Sequence, residues 1–482
     1  MHPANLLSLL IALAAIGGAF GWSSFLSSQQ SSAVDTVEPS AALATTAIVS
    51  ETSVAESPTG TLQRQVQQLE DQNKLLQTEN ADLRQQLARE LEAKAPPPEP
   101  GKLATRLAEL RKLPFTSPPK LKTLPLPEIQ QKVLTMTAAQ LTDDACAARS
   151  KAYQAMGIVQ DSFNYREAVQ NVMANQFNTY YDHATQEAVY QADADLRRLE
   201  GRDLVVAAAH RALLAQHFPA SAPTPMETAN DDAACAIRAL AWGENSFYRV
   251  RWALQDDLVN LTSAARTPFL PNQTFTPLFF TEQYKFCVDA GKSFTETLLS
   301  KEGETVLNQC YQRPPGSTTE ILHPELYLSQ PPFQPIVVDW SDQQVLGKSP
   351  YFANVAGEFT TDMMFRYFMS PDLAIRISDG WAGDGYLVYA GDGEHGDHVC
   401  WKSHWRTPED GQEFFEGLRR VLMQRHTIPW QPEFDNKTAF LVNDPHRVIR
   451  LRLSQDGKLV TLVNSSEAAF ADALDERWGA AH

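Results

Sequence analysis

Apolar residues follow a different pattern in each of the segments that precede the globular part of the chain. Residues 6–26 form an uncharged apolar run, which at ~1.5 Å per residue matches a bilayer core about 30 Å thick. The run predicts an N-terminal membrane anchor over residues 1–27. A cleaved signal peptide is the alternative. A signal peptide requires basic residues before its apolar run, however, and no Lys or Arg precedes this one. Residues 28–60 have no apolar period and few charges, and predict a flexible tether.

Residues 61–94 repeat apolar and amide side chains every seven residues. This spacing is typical of a coiled coil, and Asn at the a positions favours a parallel two-stranded dimer in register. We therefore expect the chain to pair with itself, because a helix this polar would be only marginally stable alone. The predicted dimer seam consists of Leu62, Val66, Leu69, Asn73, Leu76, Asn80, Leu83 and Leu87.

A proline-rich segment, residues 95–127, separates the coiled coil from the globular part. Prolines end helices and stiffen linkers, so an extended linker is expected here. Residues 128–350 carry apolar side chains at spacings of three and four, which predicts helices. Residues 351–482 mix helical and alternating patterns. The sequence thus predicts an α+β fold, mainly helical, with a small antiparallel sheet towards the C-terminus.

Charge and cysteine content narrow the range of partners. The chain has 41 Lys+Arg against 58 Asp+Glu, a formal net charge of -17, whereas nucleic-acid binding needs clustered cations. We therefore expect no nucleic-acid partner. In an oxidising compartment one or two disulfides would form, and the sequence leaves their pairing open. The five cysteines are Cys146, Cys235, Cys287, Cys310 and Cys400.

Five segments of the globular part occur in an order shared with a known family. They are Tyr180–His183, Leu213–Phe218, Arg238–Glu244, Pro314–Tyr327 (PPGSTTEILHPELY) and Gly380–Tyr386 (GWAGDGY). In these segments the chain resembles prokaryotic neutral zinc metallopeptidases of the HExxH type, which are gluzincin-like and often membrane-anchored. The resemblance covers most of residues 145–425 and implies a zincin-like fold over 128–350.

The residues that make such a domain a peptidase are missing. Zinc hydrolysis needs two His one helical turn apart, a Glu beside the first, and a third protein ligand. The resemblance places the two His at Ala207 and Arg211, the Glu base at Ala208 and the third ligand at Trp242. We therefore predict a pseudoenzyme with no catalytic residue, no metal and no cofactor. Arg211 is expected to fill part of the former zinc volume and to pair with Glu244.

Other imidazole and thiol side chains offer alternative metal sites. His210 and His217 are seven residues apart on one helix face, but His217 is better interpreted as a helix-terminal residue. The segment His323–Glu325 is expected to be structural. A second group lies around one predicted strand and is interpreted as a solvated face. Its members are His395, His398, Cys400 and His404.

Three functions are compatible with these features. The preferred one is a homodimer anchored in the inner, cytoplasmic membrane, whose periplasmic metallopeptidase-like domain binds a protein or peptide partner or serves as an envelope scaffold. The second is a divergent hydrolase that uses a non-standard site. The third is a passive spacer in which only the coiled coil matters.

Overall fold

The structure, a computed structural model, describes residues 69, 72–80, 83, 96–219, 229–255, 276–340, 343–391, 396–426 and 434–479. The predicted anchor and tether, and the seam residues Leu62, Val66 and Leu87, lie outside these residues. Residues 72–80 are helical, and the described seam side chains are exposed in the single chain. The coiled-coil dimer stays a prediction. In the described part of the chain, no helix has the length and apolar character needed to cross a membrane.

Helices dominate the first region, which comprises the described residues from 96 to 340. In the second region, the described residues from 343 to 479, they flank a sheet. The helices are α1 (Pro100–Arg111), α2 (Leu126–Ala138), α3 (Asp143–Met156), α4 (Tyr165–Gln176), α5 (Leu199–His217), α6 (Asp231–Ala253), α7 (Leu278–Glu302), α8 (Glu304–Gln309), α9 (Thr318–Leu322), α10 (Pro324–Tyr327), α11 (Gly357–Arg366), α12 (Pro371–Ser378), α13 (Pro408–Arg425) and α14 (Ala468–Gly479). The strands are β1 (Lys120–Leu124), β2 (Thr179–Asp182), β3 (Glu187–Gln191), β4 (Phe352–Asn354), β5 (Trp381–Tyr389), β6 (His398–Trp405), β7 (Phe434–Asp435), β8 (Ala439–Asp444), β9 (Arg447–Leu453) and β10 (Leu459–Ser465).

Two sheets organise these elements. A three-stranded sheet has the order β1-β3-β2, with β1 parallel and β2 antiparallel to β3. An antiparallel seven-stranded sheet has the order β4-β5-β6-β10-β9-β8-β7. The predicted α+β class with a C-terminal antiparallel sheet is confirmed. The sheet is larger than predicted, and the helical region holds a small sheet of its own.

The segment predicted to be an extended linker is partly folded, so that prediction is wrong. Pro100 occupies the first turn of α1, where its missing amide would have had no partner anyway. Leu103 and Leu107 are buried in the main core, and Arg111 at the end of the helix is fully buried. Strand β1 then pairs with β3, from Lys120 opposite Glu187 onwards. The globular fold therefore begins near residue 100 rather than 128.

The seven-stranded sheet is covered on both faces. Tyr386 and Val388 of β5 enter the main core, whereas Leu387 and Tyr389 enter a second core beneath α14. This alternation follows the period of two along a strand. It explains why every residue of β5 is buried.

The second core also corrects the interpretation of β6. His398 stacks on Phe470 of α14, with ring centres 4.4 Å apart, and Cys400 is completely buried. His404 is half-buried, and His395 lies outside the described residues. The prediction of a solvated His/Cys face is wrong for His398 and Cys400, because α14 covers that side of the strand.

Helices α6 and α7 approach each other unusually closely at two glycines. A Cβ atom on Gly291 would lie 2.0 Å from the carbonyl oxygen of Ala239, and one on Gly243 would lie 2.0 Å from the carbonyl carbon of Gly291. Nearby, the buried free thiols Cys235 and Cys287 place their Sγ atoms 3.8 Å apart. The glycines thus set the distance between α6 and α7.

We expect Gly291→Ala to lower the free energy of unfolding by about 1–3 kcal/mol, because the added methyl group has no space and must push the helices apart. Urea denaturation measures the change. Gly101→Ala is the matched control: that glycine lies in α1 with open space around its Cβ position. The control should leave stability unchanged or slightly raised, and an equal loss in both variants would contradict the close-packing argument.

Candidate functional site

A cleft of about 180 Å³ opens in the first region, between α2, α4, β2, α5 and α6. Pockets for whole small-molecule ligands are usually larger, on the order of 300–1,000 Å³. The cleft therefore has room for one side chain or the end of a chain. The residues that line it are Val133, Met136, Thr137, Gln140, Met173, Phe177, Thr179, Tyr180, Tyr181, His183, His210, Arg211, Leu214, Ala215, Ala241, Trp242 and Asn245.

The positions where the resemblance would place zinc ligands lie on α5 and α6, beside this cleft. Ala207 and Ala208 are buried within α5 and carry no ligand atom. Arg211 and Trp242 line the cleft itself. Both pack on Phe177: the Arg211 Cζ atom lies 5.1 Å and the Trp242 ring centre 5.2 Å from its ring centre. A guanidinium and an indole ring, both packed on Phe177, therefore stand at two of the positions where the resemblance would place zinc ligands.

The expected pair between Arg211 and Glu244 does not form. Glu244 is completely buried and binds Arg111 of α1 instead, with the Arg111 Nε atom 2.7 Å from Oε1. The Tyr311 hydroxyl donates to the other oxygen, Oε2, at 2.7 Å. The sequence pattern did not reveal this arginine as the partner, because Arg111 fell within the predicted linker.

Further groups extend the network around Glu244. Arg111 also donates to the Asn308 Oδ1 atom (2.7 Å) and to Glu304 (3.3 Å). Burial by itself would raise the pKa of Glu244, but Arg111, His210 and Tyr311 outweigh burial and hold that pKa at about 2. Glu244 is therefore an ionised, fully hydrogen-bonded structural carboxylate.

His210 is held in one tautomer by this network. Burial lowers the pKa of His210, so the imidazole is neutral. Since Glu244 can only accept, Nε2 donates to it at 3.3 Å, and Nδ1 accepts from the Asn245 side-chain amide at 3.3 Å. His217, the last residue of α5, contacts the Pro114 carbonyl oxygen through Nε2 at 2.7 Å. Both rings are thus engaged in structural contacts, which argues against the alternative metal site at His210 and His217.

Arg211 is the unusual charge of the cleft. Burial, together with repulsion from Arg249, lowers the pKa of Arg211 to about 10, so the guanidinium stays protonated at neutral pH. Its Nε atom is buried and has no hydrogen-bond partner among the described residues. The carboxylate of Asp203, on the same helix, is paired with Arg249. No Asp or Glu is found among the described residues that line the cleft.

A second group of polar residues was not predicted as a site. In the described part of the chain, one cluster of His, Cys, Asp or Glu side chains is compact enough to hold a metal ion, namely His323, Glu358 and Asp379. The segment around His323 was expected to be structural. Its partners come from two other elements, so no local spacing in the sequence could have revealed the cluster.

One protein family matches part of the chain. It is described as a domain of unknown function (DUF8575), and the match covers residues 344–475. That segment contains the whole seven-stranded sheet and most of the helices packed on it, but none of the residues that line the cleft. No curated protein and no solved structure matches the chain.

The Glu244 network predicts a specific acid sensitivity. The pKa of Glu244 is about 2 in the folded chain, below the value near 4.3 of an unfolded Glu. Its contribution to stability is therefore complete above about pH 4.5 and is lost as the pH falls towards 2. In urea denaturation between pH 3 and 7, Glu244→Gln should be less stable than the wild type at pH 7, with a difference in unfolding free energy that narrows on acidification.

The matched control is Glu99→Gln, at an exposed carboxylate of the same fold. Its unfolding free energy should follow the wild-type pH profile. A stability difference for Glu244→Gln that stays constant across this pH range would contradict the prediction.

Proposed function

We propose that this chain is a membrane-anchored, self-pairing envelope protein whose globular part binds a carboxylate group of a protein or peptide partner at Arg211, without hydrolysing it. The observation that carries the proposal is that Arg211 has no acidic partner: it is a half-buried cation with a buried, unpaired Nε atom, in a cleft whose described lining contains no acidic residue. The anchor and the dimer come from the sequence patterns of residues 6–26 and 61–94.

Charge favours an anionic ligand. The chain has a net charge of -17, yet its cleft presents a guanidinium with no carboxylate partner among the described residues. A charged group with a buried, unpaired polar atom is costly. A ligand carboxylate would compensate it, and the planar guanidinium fork matches carboxylate geometry with two parallel hydrogen bonds.

Shape and wall chemistry favour the end of a peptide. Aromatic and aliphatic side chains, among them Phe177, Tyr180, Leu214 and Trp242, surround Arg211. The volume of about 180 Å³ suits one residue rather than a large ligand. A C-terminal residue with an apolar side chain offers both required features, a carboxylate for Arg211 and an apolar group for the walls.

The same lining argues against hydrolysis. Metal-assisted peptide cleavage needs free ligands around an ion and a base beside it. Here His210 is committed to Glu244 and Asn245, and Arg211 stands where the resemblance would place a ligand. A side chain that is protonated at neutral pH can neither take a further proton nor hold zinc.

Binding can be tested on the full-length chain in a mild detergent with two probes, N-acetyl-alanyl-phenylalanine as the free acid and as the amide. Isothermal titration calorimetry should show tighter binding of the acid. A charge-assisted hydrogen bond contributes about 1.5–3 kcal/mol, which corresponds to roughly 10- to 150-fold in affinity. In Arg211→Met, the affinity for the acid should fall to the affinity for the amide.

The matched control for this measurement is Arg198→Met, since Arg198 is an exposed arginine at the start of the same helix. It should keep the preference for the free acid. Equal affinity of the wild type for acid and amide, no binding of either, or an unchanged preference in a folded Arg211→Met variant would each overturn the proposal.

Self-pairing has a separate test. Changing Leu69 and Leu76 to Glu places two charges in each helix of the predicted seam, and should convert dimers of the full-length chain to monomers in sedimentation. As a control, the same change at Leu75, which is exposed but lies outside the a and d positions, should leave the dimer intact. Persistent dimers of the Leu69/Leu76 variant would place the contact elsewhere.

A further inference from the structure

Three side chains from separate segments converge beside α11. His323 ends α9, Glu358 lies in the first turn of α11, and Asp379 follows α12. The His323 Nε2 atom is 2.9 Å from the Glu358 Oε1 atom and 3.6 Å from the Asp379 Oδ1 atom. Ligands about 2.0–2.2 Å from a tetrahedral zinc ion are separated by similar distances, about 3.3–3.6 Å. Small side-chain shifts would therefore suffice to surround an ion.

The buried carboxylate of the cluster has an unused oxygen. Glu358 is only 4% exposed, and its Oε1 atom contacts His323. The other oxygen, Oε2, is buried and has no hydrogen-bond partner among the described residues. A buried carboxylate oxygen without a partner is costly, and a cation beside it would supply the missing interaction.

The fold holds Glu358 firmly in this position. Gly357 has a φ of +76°, and its Cβ position is filled by the side chain of Asp232, so only glycine fits this turn. Asp384 accepts hydrogen bonds from the amides of Ala356 (3.0 Å) and Gly357 (2.9 Å) at the start of α11. The cluster is therefore built on a fixed helix start rather than on a loop.

We propose that His323, Glu358 and Asp379 bind one divalent transition-metal ion, with zinc as the best match. One imidazole and two carboxylates suit zinc, whereas calcium and magnesium prefer oxygen ligands alone. Three protein ligands leave a coordination position for water. The half-exposed Asp379 side chain gives the ion access from solvent.

Neighbouring groups modulate this site. Arg406 donates to the Asp379 Oδ1 atom at 2.6 Å and competes with the ion for that carboxylate. The Glu325 Oε1 atom lies 3.7 Å from the His323 Nδ1 atom, on the ring edge facing away from the cluster. Carboxylates in this position orient metal-bound imidazoles. The cluster is also independent of the proposed function, because none of its residues lines the cleft at Arg211.

The test is a titration of the full-length chain, first freed of metal with a chelator, with zinc chloride at pH 7.5. Calorimetry should show one zinc site per chain. His323→Ala and Glu358→Gln should each weaken zinc binding at least about ten-fold, by analogy with losses at metal sites. His446→Ala, which removes an exposed imidazole in the turn between β8 and β9, is the matched control and should bind zinc like the wild type.

A second measurement guards against variants that misfold. Zinc should raise the melting temperature of the wild type and of Arg211→Met, but not that of Glu358→Gln, whose amide keeps the size of the original side chain. Absence of a stoichiometric zinc site, unchanged binding in His323→Ala and Glu358→Gln, or tighter binding of magnesium than of zinc would overturn the proposal. If Arg211→Met still binds zinc, the zinc site can be judged independently of carboxylate binding in the cleft.

Discussion

The buried ion pair between Arg111 and Glu244 is the interaction on which the rest of the first region depends. Both side chains are completely inaccessible to solvent, and removal of one partner from such a pair typically costs about 3–5 kcal/mol. The pair ties α1 to α6, while Tyr311 and Asn308 add the segment that follows α7. The desolvation of these two buried charges is offset because both carboxylate oxygens of Glu244 accept hydrogen bonds.

The ion pair also determines the chemistry of the cleft. Glu244 engages the Nε2 atom of His210, so this imidazole cannot serve as a base or a metal ligand. Arg111 satisfies Glu244 from the far side, so Arg211 is left without a carboxylate partner in the described part of the chain. Arg111 thus neutralises the buried carboxylate of Glu244, whereas Arg211 gives the cleft a positive charge. The proposed carboxylate binding follows from that division.

Sequence patterns predicted the helices and strands better than the contacts that these elements make with one another. The helices of residues 128–350 and the antiparallel character of the C-terminal sheet followed from apolar periodicity, which depends on residues near in sequence. Helix α1 was missed because its prolines suggested a linker, although proline at a first helical turn is compatible with a helix. The buried state of His398 and Cys400 was missed because it depends on α14, and the partner of Glu244 because the two residues are far apart in sequence. Contacts of that kind are set by tertiary packing, which local patterns do not encode.

The two proposed sites share a physical feature that the networks around Glu244 and Asp384 lack. Glu244 and Asp384 are buried carboxylates whose oxygens all accept hydrogen bonds. Arg211 and Glu358 each retain a buried polar atom without a partner in the described chain. Such atoms also occur elsewhere in the described chain, on neutral side chains such as Trp252 and on charged ones such as Asp232 and Arg419, so the feature alone does not define a site. At a charged side chain beside a cleft, or beside two further metal-type ligands, the same deficit is large enough to favour binding of an ion of opposite charge.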